Sequence, residues 1–143
     1  MFVSDILSQK GGLVFTVSPG TTVAQVAQQL STRRIGSVLV MGKDDAIAGI
    51  VSERDLVRAI AGNGAAALDL EVRQVMTRDV VTCHPDDPIE RVMGMMTAGR
   101  FRHLPVEDHG ELVGLISIGD VVKARIEEAQ HETEALKAYI VAG

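Results

Sequence analysis

The amino-acid sequence predicts a mixed α/β (α+β) fold made of two copies of one β-α-β-β-α unit. Three observations predict it. The segment TVSPGTTVAQVAQQLSTRRIGSVLV…GIVSERDLVRA, starting at Thr16, recurs from Thr82 as TCHPDDPIERVMGMMTAGRFRHLPV…GLISIGDVVKA. Apolar spacing changes between the helical and the strand period in the same order in both copies. The chain of 143 residues suits two small halves, each of which, at roughly fifty residues, is marginal alone. The halves are therefore expected to share a core, and the repeat sets the architecture before any local reading.

The register of the repeat is well defined. Thr16/Thr82, Pro19/Pro85, Val26/Val92, Arg34/Arg100 and Val40/Val106 are identical pairs. After a one-residue difference near Asp44, so are Gly49/Gly114, Ser52/Ser117, Asp55/Asp120, Val57/Val122 and Ala59/Ala124. The expected domains are residues 1–65 (first repeat with a short N-terminal helix), 66–128 (second repeat) and 129–143 (a helical extension).

In chain order, VSDIL at 3–7 is expected to be a short helix, with VRQVM at 72–76 as its counterpart. Gly11 and Gly12 interrupt the chain before LVFTV, a strand by its β-branched and aromatic content. Pro19-Gly20 makes a turn. Thr22 is the expected N-cap of a helix over 23–33, whose Val23, Val26, Ala27 and Leu30 share one face. SVLVM at 37–41 is a strand, GKDD a hairpin turn and AIAGIVS the return strand, followed by a helix over 53–61. GNGAAALDLE reads as a flexible linker. The second copy then gives strand DVVTC, a helix over 89–98 with Pro88 in its first turn, strand HLPVE, turn DHG and strand ELVGLIS. A last helix starts at Ile118 and meets no Gly or Pro until Gly143. Val122, Ile126, Ala129, Leu136 and Ile140 lie roughly on one stripe of it. Such a helix packs either on a second subunit or over its own domain.

Composition narrows the function classes. A net charge of −5 argues against a general nucleic-acid binder or a binder of acidic membranes. The single cysteine, Cys83, excludes an internal disulfide and fits a reducing compartment. The N-terminal stretch lacks a signal-like apolar core, and no apolar run reaches membrane-spanning length. A cytoplasmic location is expected.

The recurring polar signal is Gly-x-x-Ser-x-x-Asp, read as Gly49…Ser52…Asp55 and as Gly114…Ser117…Asp120. Both copies fall where a strand ends and a helix begins. Ser-x-x-Asp before an apolar run is a capping-box pattern, which explains one copy without any function. The capping and binding readings are compatible. A helix N-terminus presents free N–H groups and a positive dipole end, which suit an anion. A serine hydroxyl can donate to phosphate, and a carboxylate can accept both hydroxyls of a ribose diol.

These features resemble a pair of cystathionine-β-synthase (CBS) domains, known as a Bateman module. The resemblance rests on the tandem β-α-β-β-α order and the duplicated Gly-x-x-Ser-x-x-Asp signature, and covers about residues 3–127. It implies two halves related by a pseudo-twofold axis, clefts between them that bind an adenosine compound (AMP, ADP, ATP, S-adenosylmethionine or NAD(H)), and a disc-like homodimer of modules. By motif, Asp55 and Asp120 match ribose-binding aspartates, and Ser52 and Ser117 the Ser/Thr that meets phosphate or ribose. Thr16 and Thr82 match positions lining the base pocket. Gly36 and Ser37 in the first copy, and His103, Leu104 and Pro105 in the second, match the segment that flanks adenine. The copies differ inside the motif, Glu53-Arg54 against Ile118-Gly119, so the two sites are expected to be unequal. Arg54 can pair bidentately with phosphate. Arg34 and Arg100 are either ligand contacts or cations at helix C-termini.

Other side chains carry less. The four histidines lack metal-ligand spacing, and Cys83 reads as a buried strand thiol. Met93 and Met96 fit a core stripe. No nucleophile–base pair or carboxylate dyad points to turnover. The expected function is a non-enzymatic adenine-nucleotide sensor without a catalytic cofactor, signalling through a conformational change in a dimer to an effector protein that the sequence does not name. The alternative is a ligand-independent interaction or oligomerisation protein with vestigial sites.

Overall fold

The structure is a computed structural model and describes residues 1–142. Its elements are α1 (Val3–Lys10), β1 (Thr16–Val17), α2 (Val23–Arg33), β2 (Ser37–Met41), β3 (Ile47–Ser52), α3 (Glu53–Asn63), α4 (Ile89–Gly99), β4 (His103–Asp108), β5 (Glu111–Ser117) and α5 (Ile118–Ala142). Short 3-10 turns cover Lys43–Asp45, Gly64–Asp69 and Val72–Gln74. The mixed α/β (α+β) class is as expected, and so is the helix-strand-strand-helix order in both copies.

The chain forms two compact units. One is Val14–Val80; the other joins Met1–Leu13 to the chain from Val81 onward. Each unit thus joins one repeat to the segment that precedes the other repeat. The segment before each repeat packs on the other repeat's strands. Leu7 of α1 lies against Gly114 of β5, and Met76 and Thr77 lie against Gly49 of β3. The physical reason is a matching need in both sheets. Each second hairpin strand has a glycine with no side chain, and an apolar residue from elsewhere fills that space.

In the first unit β1 pairs parallel with β2, and β2 antiparallel with β3. Val23, Val26 and Leu30 of α2 pack with Val38, Val40 and Val51 of the strands. Helix α2 starts as expected. The Gln25 N–H donates to Thr22 Oγ1 at 3.2 Å, and the Thr22 N–H donates to Gln25 Oε1 at 3.0 Å. This reciprocal pair satisfies two N–H groups that the helix itself leaves open. The expected hairpin turn is a 3-10 turn with Asp44 and Asp45 at positive φ, a conformation that aspartate tolerates better than most residues. The run expected as a flexible linker is folded instead. It forms the 3-10 stretch Gly64–Asp69, and Ala67 is fully buried.

In the second unit β4 pairs antiparallel with β5. Val3 and Ile6 of α1, Ile89 and Val92 of α4, and Leu104 and Ile116 of the hairpin belong to one core. The expected strand at 79–83 is reduced to a single parallel bridge between Cys83 and Val106. The turn that follows explains the reduction. The His84 N–H donates to Asp87 Oδ2 at 2.8 Å, the Asp87 N–H donates to the His84 carbonyl at 3.0 Å, and Pro85 has no N–H to extend a ladder. The last helix is continuous over 25 residues. Among the described residues no helix is long and apolar enough to cross a membrane.

Candidate functional site

The two Gly-x-x-Ser-x-x-Asp segments adopt the same local geometry, each within its own unit. Ser37 stands opposite Ser52 on the β2–β3 ladder, and His103 stands opposite Ser117 on the β4–β5 ladder. The first N–H of the following helix bonds back across each ladder. The Glu53 N–H donates to the Gly36 carbonyl at 3.0 Å, and the Ile118 N–H donates to the Arg102 carbonyl at 2.8 Å. Each junction thus brings together a serine, a helix N-terminus, an aspartate one turn in, and the residue opening the neighbouring strand.

Both aspartates cap their helices. The Ser52 N–H donates to Asp55 Oδ2 at 2.9 Å, and the Ser52 hydroxyl reaches the same oxygen at 3.2 Å. In the second unit the Ser117 N–H donates to Asp120 Oδ2 at 2.8 Å, and the Asp120 N–H donates to Ser117 Oγ at 3.2 Å. The expected capping box is present, reciprocal in the second copy and one-sided in the first.

The copies differ in what else meets the carboxylate. The Lys10 ammonium, from the end of α1, lies 2.6 Å from Asp120 Oδ2. Among the described residues, the cation beside Asp55 is the exposed Arg58 guanidinium, 3.9 Å from Oδ1. Burial pushes the Asp120 carboxyl up, but the Lys10 hydrogen bond, the Ser117 N–H and the Lys10 charge together outweigh it, and the net shift is downward. A carboxylate whose folded pKa is depressed contributes stability above its unfolded pKa and loses it as pH falls through the folded value. The pair therefore supports the fold above the ordinary aspartate value of 3.8 and fades below it. Replacing Lys10 by methionine removes the dominant lowering cause. The expected result is a raised Asp120 pKa, read from its side-chain carboxyl carbon shift in a pH titration, and acid unfolding that begins at higher pH. An unchanged Asp120 titration would remove Lys10 from this account. Inequality of the two copies was expected from Glu53-Arg54 against Ile118-Gly119. Lys10 was not foreseen, because the matching position after the counterpart segment 72–76 is Asp79.

The remaining expected residues divide into two groups. Ser37 is 3% exposed, and its hydroxyl has no hydrogen-bond partner. A buried hydroxyl left in this state is costly. Thr16 pairs with Leu39, two residues along β2 from Ser37. Thr82 directly precedes Cys83, whose N–H donates to the Pro105 carbonyl at 2.9 Å, so Thr82 and Pro105 are neighbours on the hairpin edge. Leu104, in contrast, is fully buried in the core of its unit, and packing accounts for it. Arg54 is exposed on the first turn of α3. Arg100, like Arg34, is the left-handed C-cap of its helix, with φ of 56° and 53° respectively. Glycine is the usual residue in that conformation.

Cys83 is 5% exposed, and burial, with a smaller push from the Asp87 charge, takes its thiol up to about 12. Because the thiolate is the reactive form, alkylation of the folded protein near neutral pH is expected to be at least ~1,000-fold slower than that of an unfolded cysteine. Iodoacetamide labelling followed by mass spectrometry, with and without denaturant, checks this; fast labelling of the native protein would contradict it. Among the described residues no cluster of three or more His, Cys, Asp or Glu is placed to hold a metal.

A duplicated strand–helix junction carrying serine and aspartate, on two small sheet-and-helix units, defines a tandem-repeat domain class. The CBS domain family model matches residues 3–62 and 72–127, and the chain belongs to that family. The chain is 33% identical over 149 aligned residues to a mitochondrial CBS domain-containing protein of Arabidopsis thaliana, covering 99% of this chain and 72% of that protein. It resembles the crystal structure of a CBS-domain containing protein from Agrobacterium tumefaciens with 49% identity and a TM-score of 0.86, covering 87% of this chain and 99% of that one. A CBS domain protein of Pyrobaculum aerophilum, solved in complex with AMP, is 28% identical with a TM-score of 0.74, covering 84% and 89% of the two chains.

Proposed function

We propose that this protein is a non-enzymatic adenosine-ligand sensor of the AMP, ATP or NAD(H) class, acting in the cytoplasm as a homodimer that hands its state to a separate effector. One observation carries the reading. In both units a serine and an aspartate at a helix N-terminus stand beside the opening residue of the neighbouring strand, and in the first unit that residue is the buried, unsatisfied Ser37. The helix N-terminus and serine hydroxyl suit phosphate, the aspartate suits the ribose diol, and the Ser37 hydroxyl suits a polar edge of the base. The AMP complex of the Pyrobaculum aerophilum relative supports the choice of ligand class. In the second unit a ligand competes with Lys10 for Asp120, so the two sites differ in affinity.

Ligand can shift the protein only by binding one conformation better than another, typically by ~1–3 kcal/mol. Calorimetric titration with AMP, ATP and NAD(H) tests the reading. Asp55→Ala and Asp120→Ala each remove hydrogen bonds to a charged group worth ~1.5–3 kcal/mol, so each is expected to weaken one class of site about 10- to 100-fold. Absence of binding below millimolar ligand, or affinities indifferent to both substitutions, would leave the alternative of an interaction protein whose aspartates only cap helices.

A further inference from the structure

Helix α5 runs for 25 residues, about 37 Å at the α-helical rise, yet only its beginning is packed. Val121 and Ala124 are its buried residues, and residues 129–142 are all exposed. A helical segment of that length with no packed face is marginal in water, so this half of α5 requires a partner surface. The exposed apolar residues identify which. Val122, Ile126, Ala129, Leu136 and Ile140, with Thr133 between them, follow alternating spacings of four and three, and this stripe lies on a face separate from Val121 and Ala124. The spacing is the heptad of a coiled coil. Ile126, Thr133 and Ile140, all β-branched, occupy the a positions. Val122, Ala129 and Leu136 occupy d. Thr133 brings no open donor into the seam, because its hydroxyl already donates to the Ala129 carbonyl at 2.9 Å.

The charges beside the seam select the occupant and its direction. Glu132 lies at g and Lys137 at the following e. In a parallel pair of identical helices Glu132 faces Lys137 of the other copy, twice by symmetry, and Ile126 and Ile140 at a with Leu136 at d match the pattern that favours two parallel strands. An antiparallel pair in the register that matches a to d would set Glu132 against Glu132 and Lys123 against Lys137, both repulsive. Arg125, the preceding g residue, is held by Glu90 at 2.9 Å and Glu128 at 3.0 Å and stays out of the seam.

We propose that α5 is the dimerisation element of this protein, pairing in parallel with α5 of a second copy over residues 122–140. The inference rests on the homodimer in the proposed function and is independent of the ligand. Sedimentation equilibrium of the full chain is expected to give a dimer at micromolar concentration for the wild type and a monomer for Leu136→Glu, an exposed site outside the core of its own unit. Circular dichroism should show the core of the variant still folded. A dimeric Leu136→Glu overturns the zipper and leaves the dimer intact; a monomeric wild type overturns both. Direction is read by crosslinking. Ile140→Cys, incubated with oxidised glutathione and run on a non-reducing gel, is expected to form a covalent dimer, because parallel pairing sets the two residues side by side. His131→Cys, on the outer face, is expected to remain monomeric on the gel. Cys83 is buried and does not contribute. Equal crosslinking of the two variants would overturn the parallel arrangement.

Discussion

Leu104→Ala is expected to destabilise the second-repeat unit by about 3 kcal/mol. Leu104 is fully buried, pairs with Ile116 across the β4–β5 ladder and belongs to the core that also holds Val3, Ile89 and Val121. Truncation removes apolar surface from burial and leaves a cavity that the surrounding strands and helices fill only in part. The protein lacks tryptophan, so circular dichroism in a urea titration is the suitable readout. Leu13→Ala provides the comparison, since Leu13 is 77% exposed and its truncation is expected to change stability by no more than about 0.5 kcal/mol. A Leu104→Ala cost as small as that of Leu13→Ala would contradict the packing described here. It would also return Leu104 to the set of ligand-lining residues expected from the sequence.

Gly49→Ala is expected to cost about 1–3 kcal/mol, and Gly114→Ala distinctly less, although the two glycines occupy the same place in the repeat. A Cβ on Gly49 would lie 2.5 Å from Met76 Sδ and 2.8 Å from the Thr77 carbonyl oxygen. The methionine can turn aside. The carbonyl cannot, because Ile50 and Thr77 exchange two backbone hydrogen bonds of 3.0 and 2.9 Å that fix the distance between the segments. The three atoms nearest a Cβ on Gly114 all belong to the Leu7 side chain, Cδ2 at 2.5 Å, and the free end of a leucine can adopt another rotamer at modest cost. Thermal unfolding of the two variants side by side gives the ranking. Equal losses, or a larger loss at Gly114, would show that α1 is held more firmly on β5 than segment 76–77 is on β3.

The signature glycine thus has a packing role that was not visible in the motif. Gly49 and Gly114 could be recognised as a repeated pair, but the atoms that exclude a side chain belong to residues distant in the chain. The signature serine and aspartate were more legible. Their spacing specifies a cap, and caps are made within one turn of helix, so Ser52 with Asp55 and Ser117 with Asp120 form the expected contacts. Thr22 with Gln25 was legible for the same reason. The strand at 79–83 was misread because β-branched residues announce strand preference and not the partner. Only one rung finds a partner before the turn at His84–Asp87 takes the backbone away. The resemblance matches Leu104 to the segment that flanks the ligand; in the structure its side chain is fully buried in the core of its unit, a placement that the motif does not display.

By itself the amino-acid sequence determined the duplication, the order of helices and strands, the capped strand–helix junctions and the family. All of these rest on periodicity and on contacts a few residues apart. Tertiary structure alone decided that α1 serves the second repeat and segment 72–77 the first, that Lys10 pairs closely with Asp120 while Asp55 meets only the more distant Arg58 of its own helix among the described residues, that Ser37 is buried without a hydrogen-bond partner, and that the second half of α5 is exposed. Each of these depends on which distant segments meet. A chain encodes that choice in the summed fit of its surfaces, and no short pattern of residues displays it.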